Sequence, residues 1–288
     1  MASNRRPAAP AARPLAKEAR PRLKKRLGQH FLTNRGVLQR IVQTAELAPN
    51  DVVVEVGPGA GVLTAELVQH AAAVIAIELD GDLLPALTAR FEADPGFHLV
   101  HGDILEWPPE RLLQEAGLAP GTPYKLVANL PYNITAPVLR HFLASAHPPQ
   151  RLVVLVQYEV AKTLVAQPGD TSLLAIATQY YGHPTLVAKV APGSFSPPPK
   201  VSSAVVRIDT YPKRPVDAPS DEAFFAAVRA GFRARRKQLR NSLAQGLGVP
   251  AAEAATLAET AGIDPQRRPE TLTLAEWAAL AWAWERRH

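Results

Sequence analysis

The sequence predicts an α/β fold: a doubly wound and mainly parallel sheet, followed by a small all-helical C-terminal domain. Three observations carry that prediction. An apolar strand runs into a glycine-rich turn and then a helix at 51–70, strand and helix patterns alternate from there to Thr210, and the chain reads as helix from Asp221 onward. Such alternation implies a parallel sheet with ligands held beyond the carboxyl ends of its strands.

At 288 residues the chain can bury a sizeable core and form more than one domain. Its apolar fraction, 47%, is ordinary for a globular protein. No run approaches the roughly 18 apolar residues of a membrane span, so a soluble, cytoplasmic protein without a membrane partner is expected. The absence of Cys excludes disulfides, thiolate metal sites and a Cys nucleophile, and no metal site is expected. The net charge of +6 is unevenly spread: residues 1–26 hold nine Lys/Arg against one Asp/Glu, and the remainder is slightly acidic. With Pro7, Pro10, Pro14 and Pro21 in that stretch, residues 1–26 read as a disordered basic arm suited to phosphate contact.

The domain proper is expected over 27–210. It opens with a helix capped by Asn34, with Val37, Leu38, Ile41 and Val42 at helical spacing. A strand at 51–56 leads into Gly57-Pro58-Gly59-Ala60-Gly61 and a helix over 62–70. The next strand, 73–77, ends in Glu78-Leu79-Asp80. Glu78 lies 21 positions after Gly57, where a carboxylate can accept from both ribose hydroxyls. The glycines read G-x-G-x-G, and no Lys-Ser/Thr follows to hold a phosphate. The turn alone separates a dinucleotide from the phosphate-free S-adenosylmethionine only weakly; Glu78 favours a ribose-bearing ligand.

A third strand, 97–100, leads to Asp103-Ile104, where Asp103 can accept from an adenine amino group or cap a turn. A fourth, 125–128, delivers Asn129. Parallel-type strands follow at 151–157, 186–190 and 203–208, with helices near 133–146, 158–166 and 171–182. Gly57, Glu78, Asp103 and Asn129 therefore converge on one crevice. The proline-rich segment 211–219 reads as a linker, and 220–288 as a helical RNA-binding domain. There Arg229, Arg233, Arg236, Lys237 and Arg240 fall on one helical face, opposite Val228, Phe232, Leu239 and Leu243. No acidic residue occurs from 229 to 240.

The loop Asn129-Leu130-Pro131-Tyr132 suits one chemistry in particular. The exocyclic amine of adenine is a poor nucleophile because its lone pair is delocalised into the ring. Two acceptors aimed at its hydrogens, the Asn129 side-chain oxygen and the Leu130 carbonyl, would turn that lone pair toward a methyl group. Pro131 fixes the turn, and Tyr132 can stack on a flipped-out base, worth roughly 1–3 kcal/mol. No strong base is required where a sulfonium leaves and positioning carries the step.

The stretches LGQHFLTN, EVGPGAGVLT, IELD, GDIL, NLPYNIT, FSPPPKVSSAVVRI and RRKQLRNSL closely resemble those of the small-subunit ribosomal RNA adenine dimethyltransferases, the KsgA family, over about residues 22–288. The resemblance implies a Rossmann-like methyltransferase that uses S-adenosylmethionine. Such enzymes dimethylate two adjacent adenosines near the 3′ end of small-subunit rRNA, within an immature small ribosomal subunit, and a monomer is expected. Carried over by motif, His30 and Leu32 border the methyl donor, Gly57 and Gly59 approach it, Glu78 and Leu79 take its ribose side, and Asp103 and Ile104 its adenine. Asn129 meets both donor and target amine, while Tyr132 and Phe195 wall the target base. The family often has Asn where this chain has His30, which shifts any contact there to the backbone. Two rival readings remain: a large-subunit rRNA methyltransferase of the antibiotic-resistance type, which commonly has Ile in place of Leu130 and lacks RRKQLRNSL, and a non-catalytic RNA-binding assembly or transcription factor.

Overall fold

The computed structural model describes residues 30–234 and 236–287, so the expected basic arm at 1–26 lies outside the described residues. Contacts divide the chain into two units. One comprises the described residues up to Ala161 together with Thr185–Thr210; the other comprises Lys162–Pro184 and 211–287.

The first unit is the sheet. In chain order it holds β1 (Phe31–Leu32), α1 (Arg35–Ala45), β2 (Val52–Val56), α2 (Val62–Leu67), β3 (Ala73–Glu78), α3 (Leu84–Phe91), β4 (Phe97–His101), α4 (Pro109–Glu115), β5 (Lys125–Asn129), α5 (Thr135–Leu143), β6 (Arg151–Gln157) and the start of α6 (Tyr158–Leu164). After α7 (Leu173–Tyr181) the chain returns through β7 (Gly182–Val190), β8 (Phe195–Ser196) and β9 (Ser203–Thr210). Seven strands form one sheet in the order β4-β3-β2-β5-β6-β9-β7, while β1 and β8 pair separately. The cap expected at Asn34 forms, its side chain accepting from Val37 N.

Strands β2, β3, β5 and β6 run parallel to their neighbours β3, β4, β2 and β5. Apart from Glu55 in β2, their interiors are apolar on both faces, as strands buried in a parallel sheet require. The exception is β9, which was expected as a further parallel strand. It is antiparallel to β6, with Arg151 opposite Asp209 and Gln157 opposite Ser203. The reason is the connection that feeds it: residues 191–202 contain a 3-10 turn and β8 but no helix, and a parallel neighbour needs a crossover that this segment does not supply.

The second unit is helical. Besides α7 it contains α8 (Asp221–Gly231), α9 (Leu239–Leu247), α10 (Ala251–Thr260) and α11 (Leu274–Glu285). Aromatic packing draws 162–184 into it: Tyr180 stacks on Phe224 at 4.1 Å and Tyr181 on Phe225 at 5.6 Å, and the Tyr180 hydroxyl donates to Asp221 at 2.8 Å. The expected linker is tied to the same cluster, since Arg214 pairs with Asp221 and lies over the Tyr181 ring.

The basic helix expected through 229–240 is interrupted. Helix α8 stops at Gly231, a 3-10 turn covers Phe232–Ala234, and α9 begins only at Leu239. Gly231 lies so close to Trp277 that a Cβ would stand 2.3 Å from its ring, and a glycine there also weakens the helix. The Ser242 hydroxyl then donates to the Ala234 carbonyl and holds the turn in place. Arg229, Arg233, Arg236, Lys237 and Arg240 are all exposed, but on a helix–turn–helix edge instead of one helical face. Among the described residues no helix is long and apolar enough to cross a membrane.

Candidate active site

The carboxyl ends of β2, β3, β4 and β5 open into one cleft, closed on one side by β1. His30, Leu32, Gly57, Gly59, Glu78, Leu79, Asp103, Ile104, Asn129, Leu130, Pro131 and Tyr132 all line it, so the expected convergence is present. The turn after β2 forms because Gly57, Gly59 and Gly61 each take a left-handed φ, at 68°, 59° and 70°, which side chains resist. Gly57 N donates to the Ile77 carbonyl and Gly61 N to the Pro58 carbonyl, both at 2.9 Å. A Cβ on Gly59 would press to 2.9 Å from the Phe31 ring, whereas one on Gly57 would meet no atom within 4 Å. The turn therefore presents an open backbone face where a ligand can approach.

Glu78 is 5% exposed, yet no cation pairs with it among the described residues. Its Oε2 accepts from Gly59 N at 3.0 Å and its Oε1 from Asp80 N at 2.9 Å. Burial raises its pKa, opposed by these backbone donors. Asp103 caps the following 3-10 turn through Oδ1, which accepts from Leu105 N at 3.0 Å, and its other oxygen meets no hydrogen-bond donor among the described residues. Its two expected roles are therefore compatible, one oxygen serving each.

Asn129 ends β5 with its amide orientation set. Nδ2 donates to the backbone carbonyl of His30 at 3.1 Å, and Oδ1 accepts from no protein group among the described residues. The Leu130 side chain is buried and its N–H donates to Leu155 O at 3.2 Å, while its own carbonyl accepts nothing among the described residues. Two oxygens from adjacent residues thus remain available. Tyr132 is fixed by a 2.7 Å hydrogen bond between its hydroxyl and Ser203 Oγ, and its ring stacks on the His30 imidazole at 5.8 Å. Burial raises the Tyr132 pKa, keeping the phenol neutral. His30 Nδ1 donates to the Pro197 carbonyl at 2.9 Å.

Phe195 stands apart from this group. It is 4% exposed and packs with Leu32, Val190 and Val205 in the core, and it does not line the cleft. It sits in β8 opposite Leu32 of β1, and its burial leaves little of the ring exposed to wall a base.

Sequence reasoning missed Glu55. It lies in β2, 1% exposed, beside the cleft, and Thr64 donates to its Oε2 at 2.7 Å. Burial and the nearby Glu78 charge push its pKa up to about 8, so it holds a proton at neutral pH. A lone carboxyl inside the run Val-Val-Val-Glu-Val was the available signal. Ser203 and Phe31, which hold Tyr132 and the glycine turn, left no comparable trace because their contacts are long-range.

The family model described as "Ribosomal RNA adenine dimethylase" matches residues 20–280. Among curated relatives, "Ribosomal RNA small subunit methyltransferase A" of Dehalococcoides mccartyi (strain 195) is 50% identical over 259 residues, covering 90% of this chain and 87% of its own length. The protein of the same name from Pelotomaculum thermopropionicum is 44% identical, covering 90% of each chain. The solved structure of the 23S rRNA methyltransferase ErmE superposes with a TM-score of 0.67 at 26% identity, over 88% of this chain and 99% of that one. A dimethyladenosine transferase from Plasmodium falciparum, 22% identical, shares the fold at a TM-score of 0.74 over 90% of this chain and 98% of its own. With a family match across almost the whole chain and the expected motifs gathered at one cleft, the chain belongs to the ribosomal RNA adenine dimethylase family.

Proposed function

We propose that the chain transfers methyl groups from S-adenosylmethionine to the N6 amines of two adjacent adenosines near the 3′ end of small-subunit rRNA. On this reading it acts as a monomer in the cytoplasm, on an immature small subunit. The cleft fits the donor: Gly57 offers an open backbone face, Glu78 a buried acceptor for ribose hydroxyls, Asp103 a free oxygen for an adenine amino group, and no phosphate-binding side chain follows the turn. S-adenosylmethionine, when bound, supplies an electrophilic methyl group on a sulfonium centre.

One observation carries the proposal. The bond from Asn129 Nδ2 to the His30 carbonyl keeps Asn129 Oδ1 for accepting, and the carbonyl of the next residue, Leu130, accepts nothing among the described residues. These two oxygens accept the hydrogens of a target amine and localise its lone pair on nitrogen. Tyr132, held by Ser203, offers its ring to the base. Catalysis then rests on positioning, with no general base required. The exposed Arg229, Arg233, Arg236, Lys237 and Arg240 supply counter-charge for an RNA backbone.

The choice of small-subunit RNA is supported by relatives at 40–50% identity that carry that name, against 26% for ErmE. The test is incubation with labelled S-adenosylmethionine and undermethylated small subunits, set beside large-subunit RNA. Label is expected in the small-subunit RNA alone. Label in large-subunit RNA would favour the resistance-type reading, and RNA binding without label in either would favour a non-catalytic factor.

A further inference from the structure

Arg90, in the last turn of α3, does not line the cleft, yet it bonds to the glycine turn from behind. Its Nη1 donates to the Ala60 carbonyl at 2.6 Å, across 30 positions of sequence. No carboxylate pairs with it among the described residues, and its Nε is buried without a hydrogen-bond partner. Desolvation accordingly lowers its pKa from the ordinary arginine value. A partly buried, unpaired guanidinium opposes stability, so packing alone accounts poorly for it. The guanidinium also lies 5.3 Å from the centre of the neighbouring Phe91 ring.

The same face of α3 meets the turn at a second point. A Cβ on Gly61 would stand 2.7 Å from the Phe91 ring and 3.0 Å from Leu87. Within the turn three N–H groups are already committed: Gly57 N to Ile77, Gly59 N to Glu78, and Gly61 N to Pro58. Ala60 is the residue at which α3 grips the turn, and the Ala60–Gly61 peptide is held at both ends, by Arg90 at the Ala60 carbonyl and by the Pro58 carbonyl at Gly61 N. Any drift of that peptide moves Gly59 and, through Gly59 N, the carboxylate of Glu78.

We infer that Arg90 is a positioning residue for the methyl donor, holding the Ala60 carbonyl so that the glycine turn and Glu78 keep the shape the donor requires. The inference rests on the donor-binding reading of the cleft. It predicts a loss in donor affinity and a rise in donor KM, with little change in kcat or in the KM for RNA, because Arg90 lies outside the acceptor loop and the basic turn.

The test is calorimetric titration of S-adenosylhomocysteine, which requires no RNA, into full-length wild type, Arg90→Met and Arg90→Lys. The Met variant keeps the apolar stem and loses the donor. It should bind about tenfold more weakly, the order of one lost hydrogen bond from a charged group. Arg90→Lys, which can still donate to Ala60 O, should recover most of the affinity, and donor KM should follow the same order. Unchanged affinity in Arg90→Met beside a wild type that binds would overturn the inference alone. So would a Met variant whose melting temperature and kinetic constants all fall together without rescue by Lys, since that marks a residue of the fold. Failure of the wild type to bind would overturn the reading of the cleft and, with it, this inference.

Discussion

The two ends of the sheet both carry carboxylates, and they treat them in opposite ways. At the amino end, Glu46 and Asp209 each accept from both Arg151 and Arg207 at 2.6–2.7 Å, and Asp51 pairs with Lys125 at 2.7 Å. For Glu46 the hydrogen bonds from Arg151 and Arg207 hold the pKa below the ordinary value. Asp51 and Asp209 are likewise lowered, although partial burial works in the other direction. At the carboxyl end Glu55, Glu78 and Asp103 meet only a hydroxyl or backbone N–H groups, with no cation paired to any of them among the described residues. Burial pushes Glu55 and Glu78 the other way, upward. Charges matched by protein cations hold α1 to the strands. Glu55 is left protonated, and on the proposed reading Glu78 and Asp103 are left for a ligand to complete, with ribose hydroxyls and an amino group as the natural complements.

That contrast can be broken by substitution. The largest effect is expected at Asn129→Ala, where methyl transfer should fall at least about 100-fold, the scale of removing one preorganised hydrogen-bonding group at a reacting centre, while the melting temperature and RNA affinity stay near those of the wild type. Rate measurements under single turnover would show it. Next, Glu78→Ala should weaken S-adenosylhomocysteine by about 10- to 100-fold in a binding titration, reflecting hydrogen bonds to a charged group. At the opposite edge, Arg151→Met should leave that affinity unchanged and lower the melting temperature by a few degrees, because Glu46 and Asp209 both lose a partner. A loss of donor affinity there would erase the distinction between the two ends.

The smallest effect concerns pH. Glu55 keeps its proton when folded up to about 8, whereas an unfolded chain releases it near 4.5. The folded state then binds more protons than the unfolded one across that window, so this group contributes stability that is lost as pH rises through it. Glu55→Gln should flatten the fall of melting temperature between about pH 5 and pH 8, provided Gln keeps the hydrogen bond from Thr64. An identical pH profile in the variant would show that Glu55 is ionised when folded.

Much of this was legible from local pattern. The strand, glycine turn and helix at 51–67, the acidic residues at the ends of β3 and β4, and Asn129 after β5 are each set by a few neighbouring residues, and a parallel sheet gathers them automatically. What stayed hidden depended on distance. The direction of β9 follows from a helix-free connection, the break after Gly231 from Trp277, and the burial of Phe195 from its pairing with β1. The carbonyl that orients Asn129 comes from His30, 99 positions away, and no periodicity announces such a contact.

One point of chemistry follows from the acceptor pair. After a first transfer the amine has a single hydrogen left, so only one of Asn129 Oδ1 and Leu130 O can still accept from it. If either oxygen alone suffices to orient the nitrogen, the second transfer proceeds at the same loop. The direct measurement is chromatographic separation of nucleosides from undermethylated small subunits during a time course with wild-type protein and S-adenosylmethionine. N6-methyladenosine should appear transiently and give way to N6,N6-dimethyladenosine. Accumulation of N6-methyladenosine as the end product, or no methylated adenosine at all, would contradict dimethylation at this loop.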